Sequence, residues 1–132
     1  MRIGEVARRA GVSVKAVRYY ESLGLVRAER LPNGYREYDD AHVHRIREIR
    51  TLAELGITAE RTRPFLDCLD AGGSSGDDCP ASLDTYREAI ADMTDRIARL
   101  STRRDLLTDR LAAATARAVP TPRCELVPEE SR

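Results

Sequence analysis

The sequence predicts a mainly α fold: a small head with two short helices and a two-stranded wing, followed by one long helix. Three observations predict it. Apolar residues recur at helical spacing in short blocks closed by glycine, as in Ile3 to Gly11 and Val14 to Gly24. A Pro32-Asn33-Gly34 reverse-turn signal lies between β-compatible stretches. From Leu83 onward the apolar positions alternate in steps of three and four for five heptads.

The first helix is expected over residues 3–9, with Ile3, Val6, Ala7 and Ala10 on one face, and Gly11 stops it. Ser13 is a good N-cap for a second helix over 14–22, closed by Gly24. A turn as tight as Gly11-Val12-Ser13 forces the two to cross steeply, which makes them a helix-turn-helix candidate. Residues 25–31 and 35–38 then read as the two strands of a short wing. Asp39 caps a third helix over 40–55 that carries Val43, Ile46, Ile49, Leu52 and Leu55 in steps of three, and Gly56 ends it. His42 and His44 on this helix are two apart, share no face, and read as surface residues. A fourth helix is expected to open at Thr58 and run to Leu69. Pro64 either kinks it or delays its start to Thr62.

The domain organisation follows. Residues 1–70 form the winged helix-turn-helix head and 71–79, rich in Gly, Ser and Asp, a linker loop. Residues 80–118 form a dimerisation helix begun by Pro80, and 119–132 a short acidic tail. The seam of the long helix is Leu83, Tyr86, Ile90, Met93, Ile97, Leu100, Leu107, Leu111, Ala114 and Ala118, with Arg104 its one polar interruption. At about 1.5 Å per residue this helix is roughly 55–60 Å long. The head is too small to cover such a stripe, so a second copy of the chain is expected to do so.

Composition narrows the function classes. With 42% hydrophobic and 33% charged residues, the chain is expected to be folded and helical rather than disordered. No window approaches the about 18 uncharged apolar residues of a membrane span. The start, Met1-Arg2-Ile3-Gly4-Glu5, lacks the apolar core of a signal peptide. A cytoplasmic location is therefore expected, where cysteines are normally reduced. Neither a Ser/His/Asp set nor a paired-carboxylate set is visible, so an enzyme is not expected. The formal net charge is zero, but it is unevenly spread. Residues 1–57 hold 11 Lys+Arg against 8 Asp+Glu, and residues 58–132 hold 11 against 14. The basic excess sits in the head, which permits contact with DNA phosphates.

In a helix-turn-helix the second helix enters the major groove. Here it holds Lys15 and Arg18, three apart on one face, with Tyr19 offering a hydroxyl to phosphate from the same surface. An ordinary solvated helix face fits those three residues too. The wider pattern is more specific. The stretches Ile3-Gly4-Glu5-Val6-Ala7, Ala10-Gly11-Val12-Ser13, Val17-Arg18-Tyr19-Tyr20-Glu21 with Gly24-Leu25, Asn33-Gly34-Tyr35-Arg36-Glu37-Tyr38 and Glu54-Leu55-Gly56-Ile57 resemble the MerR family of bacterial transcriptional regulators. The likeness covers roughly residues 1–70 at motif level, and the long helix matches the family's dimerisation element in kind.

That resemblance implies a homodimer joined by an antiparallel coiled coil, each head on one half of a pseudo-palindrome between two promoter elements. It implies contacts to double-stranded promoter DNA from Ser13, Lys15, Arg18 and Tyr19 on the recognition helix. From the wing it implies Tyr35 and Arg36, with Asn33 and Gly34 shaping the turn and Tyr20 and Tyr38 packing. It also implies that the activated dimer bends and untwists an overlong spacer so that RNA polymerase engages both elements, work done on DNA shape.

Three cysteines remain: Cys68, Cys79 and Cys124. None forms a CxxC pair, which argues against a zinc finger. The loop between Cys68 and Cys79 can bring them within disulfide range, and a helix N-terminus favours thiolate at Cys79 while Asp77 and Asp78 oppose it. Three readings stay open: a Cys68–Cys79 redox switch, a soft metal ion held by thiolates with Cys124 supplied by the other chain, or cysteines with no sensing role. In the last case a small organic ligand would be the signal. Mercury-responsive members of the resembled family place one cysteine at the start of the dimerisation helix and more in the following loop, a layout Cys79 and Cys124 match in part. The two-cysteine loop after the helix in copper- and zinc-responsive members is missing. Only 119–132 follow the coil, so a large ligand-binding domain is not expected. DNA binding itself requires no cofactor on this reading.

Overall fold

Capping residues set most of the element boundaries. The computed structural model describes residues 1–118. Its elements are α1 (Ile3–Ala10), α2 (Val14–Ser22), β1 (Glu29–Arg30), β2 (Arg36–Glu37), α3 (Asp40–Glu54), α4 (Arg63–Asp70) and α5 (Pro80–Arg117), with a 3-10 turn at Ala59–Arg61 before α4. Gly11 ends α1 in the left-handed region at φ +77°, and its N–H donates to the Arg8 carbonyl. The Ser13 hydroxyl accepts from the Ala16 N–H at 3.0 Å and starts α2. Asp39 and His42 form a reciprocal capping box at the start of α3, each side chain accepting from the other's backbone N–H.

Three expectations need adjusting. The fourth helix takes the later of its two expected starts: residues 59–61 make a tighter 3-10 turn, and α4 proper follows Thr62, starting at Arg63 with Pro64 in its first turn. Proline tolerates that position because an N–H there has no helical partner anyway. The wing strands are two residues each, paired antiparallel as Glu29 with Glu37 and Arg30 with Arg36. Leu25 and Val26, read as strand, are buried core residues instead. His44 is exposed as expected, whereas His42 is half-buried. Its ring joins the capping box on one side and lies 2.7 Å from the Arg27 carbonyl on the other.

The chain divides into two compact units, one ending at Ile90 and the other starting at Ala91. In the first, Val6, Ala7, Ala10, Val17, Tyr20, Leu25, Val26, Tyr38, Val43, Ile46, Ile49 and Leu66 form one cluster, so α1, α2 and α3 share a core. A second cluster of Leu52, Ile57, Phe65 and Ala89 seats the start of α5, with Tyr86 edge-on to Phe65 at 5.1 Å. Small residues make that approach possible: Ser82, Thr85 and Ala89 face inward, and the Ser82 hydroxyl donates to the buried Gly76 carbonyl at 2.6 Å. Arg47 donates to the Arg9 carbonyl at the end of α1, tying α3 to the helix pair.

The second unit holds the remainder of α5. Of the seam residues, Tyr86 is half-buried against the head, while Leu83, Ile90, Met93, Ile97, Leu100, Leu107 and Leu111 are between 41% and 68% exposed. Leu106, outside the seam, is also exposed. Arg104 turns aside to the neighbouring Asp105 at 3.1 Å. No helix among the described residues is long and apolar enough to cross a membrane.

Candidate nucleic-acid interface and thiol pair

Arg18 of α2 comes together with the wing residues Gly34, Tyr35 and Arg36 on one side of the head, while Ser13, Lys15 and Tyr19 do not line the hollow between them. Lys15 and Arg18 are exposed on α2 and make no hydrogen bond or ion pair among the described residues. Both are therefore free to meet phosphate or base edges. Arg2, Arg18, Arg30 and Arg36 line a concavity between helix and wing, with Tyr35 and Gly34 on its wing side. Four guanidinium groups in one hollow favour a polyanion.

Turn chemistry sets the wing's shape. The Gly34 N–H closes on the Leu31 carbonyl at 2.9 Å, with Gly34 at φ +87°, and the Asn33 side chain accepts from the Tyr35 N–H at 3.0 Å. Asn33 and Gly34 thus organise the tip, and Tyr35 stands out from it, 55% exposed. The Arg2 guanidinium stacks 3.7 Å from the Tyr35 ring centroid, so the chain start contributes a cation to the wing.

Two carboxylates, neither anticipated from sequence, restrain these groups. Glu21 in the last turn of α2 accepts from Arg36 at 2.7 Å and from the Tyr38 hydroxyl at 2.8 Å, coupling recognition helix to wing. Burial, then the Glu21 carboxylate, push the Tyr38 phenol up to about 12. Glu60 in the 3-10 turn accepts from the Tyr19 hydroxyl at 2.6 Å. That bond raises the Tyr19 phenol above its ordinary value and holds the Glu60 carboxyl below its own. Arg63 at the start of α4 donates to the Leu23 and Gly24 carbonyls just past α2, and Arg45 to that of Leu25. These partners lie 15 to 41 residues from one another in sequence, and no local pattern announces them.

Cys68 and Cys79 are joined as a disulfide with Cα atoms 5.8 Å apart. Cys68 is 2% exposed on α4, and Cys79 precedes Pro80, so the bond links α4 to the start of α5. The intervening loop packs closely on it. The Gly73 N–H donates to the Cys68 carbonyl at 3.0 Å, and a Cβ on Gly73 would lie 3.2 Å from the Cys68 sulfur. A soft ion needs thiolates, and the disulfide occupies both sulfurs. Among the described residues no group of three or more His, Cys, Asp or Glu is arranged to hold a metal. Cys124 lies outside the described residues.

Comparison with known proteins agrees with this geometry. The profile described as MerR HTH family regulatory protein matches residues 1–67. The HTH-type transcriptional regulator HmrR of Sinorhizobium medicae (strain WSM419) is 37% identical over 109 residues, covering 76% of this chain and 74% of that one. The HmrR of Rhizobium leguminosarum bv. viciae is 44% identical over 66 residues, 50% of this chain, and the match spans only about half, 51%, of that relative's length. Among solved structures, the transcription regulator PbrR691 from Ralstonia metallidurans CH34 in complex with lead(II) superposes with TM-score 0.71 at 29% identity, covering 83% of each chain. The family profile spans the helix-turn-helix and the wing, and the chain belongs to the MerR family of transcription regulators, which are DNA-binding proteins and not enzymes.

Proposed function

We propose that the chain is a homodimeric regulator that binds a pseudo-palindromic promoter spacer and changes the DNA's shape when its Cys68–Cys79 pair changes oxidation state. The observation that carries this reading is the position of that pair. It joins α4, whose first residue Arg63 grips the end of the recognition helix, to the start of α5. Exposed apolar residues along α5 support dimerisation, since a stripe of that size is otherwise left in water. Lys15, Arg18, Tyr19, Tyr35 and Arg36 contact the DNA backbone and grooves, and Ser13 caps the helix that presents the first three. RNA polymerase is the indirect partner at the distorted promoter.

The chemistry balances with a peroxide as oxidant: two thiols and one hydrogen peroxide give the disulfide and two waters. In a reducing cytoplasm the pair rests as thiols, and bond formation is the signal. A second reading draws on the relatives. PbrR691 is described in complex with lead(II), so a reduced pair, with Cys124, is a candidate for a soft metal ion.

The test is a promoter-reporter assay with peroxide or with lead(II) or mercury(II), on the parent and on Cys68→Ser and Cys79→Ser. The redox reading expects a peroxide response lost in both variants. A response to metal alone, lost with Cys79→Ser, selects the second reading. Variants that respond like the parent contradict cysteine sensing and leave a small organic ligand as the signal.

A further inference from the structure

We propose that Glu60 is a built-in competitor for DNA phosphate at Tyr19, so that the recognition helix completes its backbone contacts only when the 3-10 turn yields that hydroxyl. The inference rests on the reading of Tyr19 as a phosphate donor. A tyrosine hydroxyl has one proton to donate. Here it goes to the Glu60 carboxylate at 2.6 Å, on a surface where both side chains are exposed. A phosphate oxygen approaching Tyr19 meets an anion that already accepts that hydrogen bond, and like charges at this range repel.

Glu60 is held in place. The Thr62 hydroxyl, on a fully buried residue, donates to the Ala59 carbonyl at 2.7 Å and fixes the turn. Arg63, next in the chain, donates to the Leu23 and Gly24 carbonyls and keeps the turn beside α2. The directions of the Tyr19 and Glu60 pKa shifts are those of a bond in which tyrosine donates to an ionised carboxylate. The same turn leads into α4, which carries Cys68, so movement of that helix also moves the competitor.

A double-mutant cycle on the full-length protein tests this, using a mixed-sequence duplex because phosphate contacts carry no sequence information. Glu60→Ala is expected to tighten binding by about three- to ten-fold in the parent, and by less than about two-fold in a Tyr19→Phe background. Glu60→Gln should tighten it in the same direction, which guards against a folding artefact in the alanine variant. Equal tightening in both backgrounds would reduce Glu60 to a through-space charge and overturn the proposal. Weakening by Tyr19→Phe with no effect of Glu60→Ala or Glu60→Gln overturns it while sparing the reading of Tyr19. If Tyr19→Phe costs no binding in the Glu60→Ala background, where the hydroxyl has no competitor, both fall.

Discussion

Glu21 and Arg36 join the recognition helix to the wing across 2.7 Å, and the same carboxylate accepts the hydroxyl of buried Tyr38. The Glu21 side chain is 13% exposed against 44% for Arg36. The pair is therefore more than a solvated surface bridge: one end is anchored in the core, and the other points at the concavity where DNA would lie.

Removing Glu21 leaves the Tyr38 hydroxyl without its acceptor and the wing without its tether. Glu21→Ala should lower stability by about 1–3 kcal/mol, the cost of an unsatisfied buried polar group. Urea unfolding measures the loss, and duplex binding should weaken in parallel. Unchanged stability would mean that water replaces the carboxylate at no cost.

Arg18 and Arg36 should separate in their effects on DNA binding. Arg18→Ala removes an unpaired guanidinium from the recognition face and should weaken operator binding by about 1–3 kcal/mol. Arg36→Ala removes the proposed wing contact to phosphate and should reduce the salt slope by about one. Titrations at several salt concentrations check both. If both variants bind like the parent, the assigned roles are wrong.

Tyr38 gives a pH dependence. Its folded-state pKa of about 12 lies above the ordinary 10, so folding favours the neutral phenol. The associated stability is complete below pH 10 and is lost as pH rises through about 12. Absorbance of tyrosinate against pH should show a late step that Tyr38→Phe removes, and thermal unfolding of the parent should weaken across the same window.

The Cys68–Cys79 bond closes a loop of sequence separation 11 and should stabilise the head by about 2–3 kcal/mol through the unfolded chain. Denaturant unfolding with and without reductant measures it. Cys68→Ser and Cys79→Ser should each match the reduced protein, and an identical midpoint in all forms would contradict the expectation.

The parts legible in the sequence are those written in local chemistry. Ser13, Asp39 and Pro80 mark helix starts, Gly11 a helix end, and Pro32-Asn33-Gly34 the wing tip, because a cap or turn is decided within a few residues. Pro64 delays α4 to the later of its two expected starts, since Thr58 opens only a 3-10 turn and the α-helix follows Thr62. Leu25 and Val26 have strand-like side chains, yet the core shared with α1 and α3 claims them. The restraints Glu21–Arg36 and Tyr19–Glu60 were invisible because charged residues read as solvated until their distant partners are known.

Footprinting of the promoter with reduced and with peroxide-treated protein tests the central claim most directly. The account predicts protection of two half-sites by two chains, with the reactivity of the bases between them changing when the Cys68–Cys79 bond forms. A chain that remains a monomer and protects no duplex, or a footprint indifferent to the state of that bond, would contradict it.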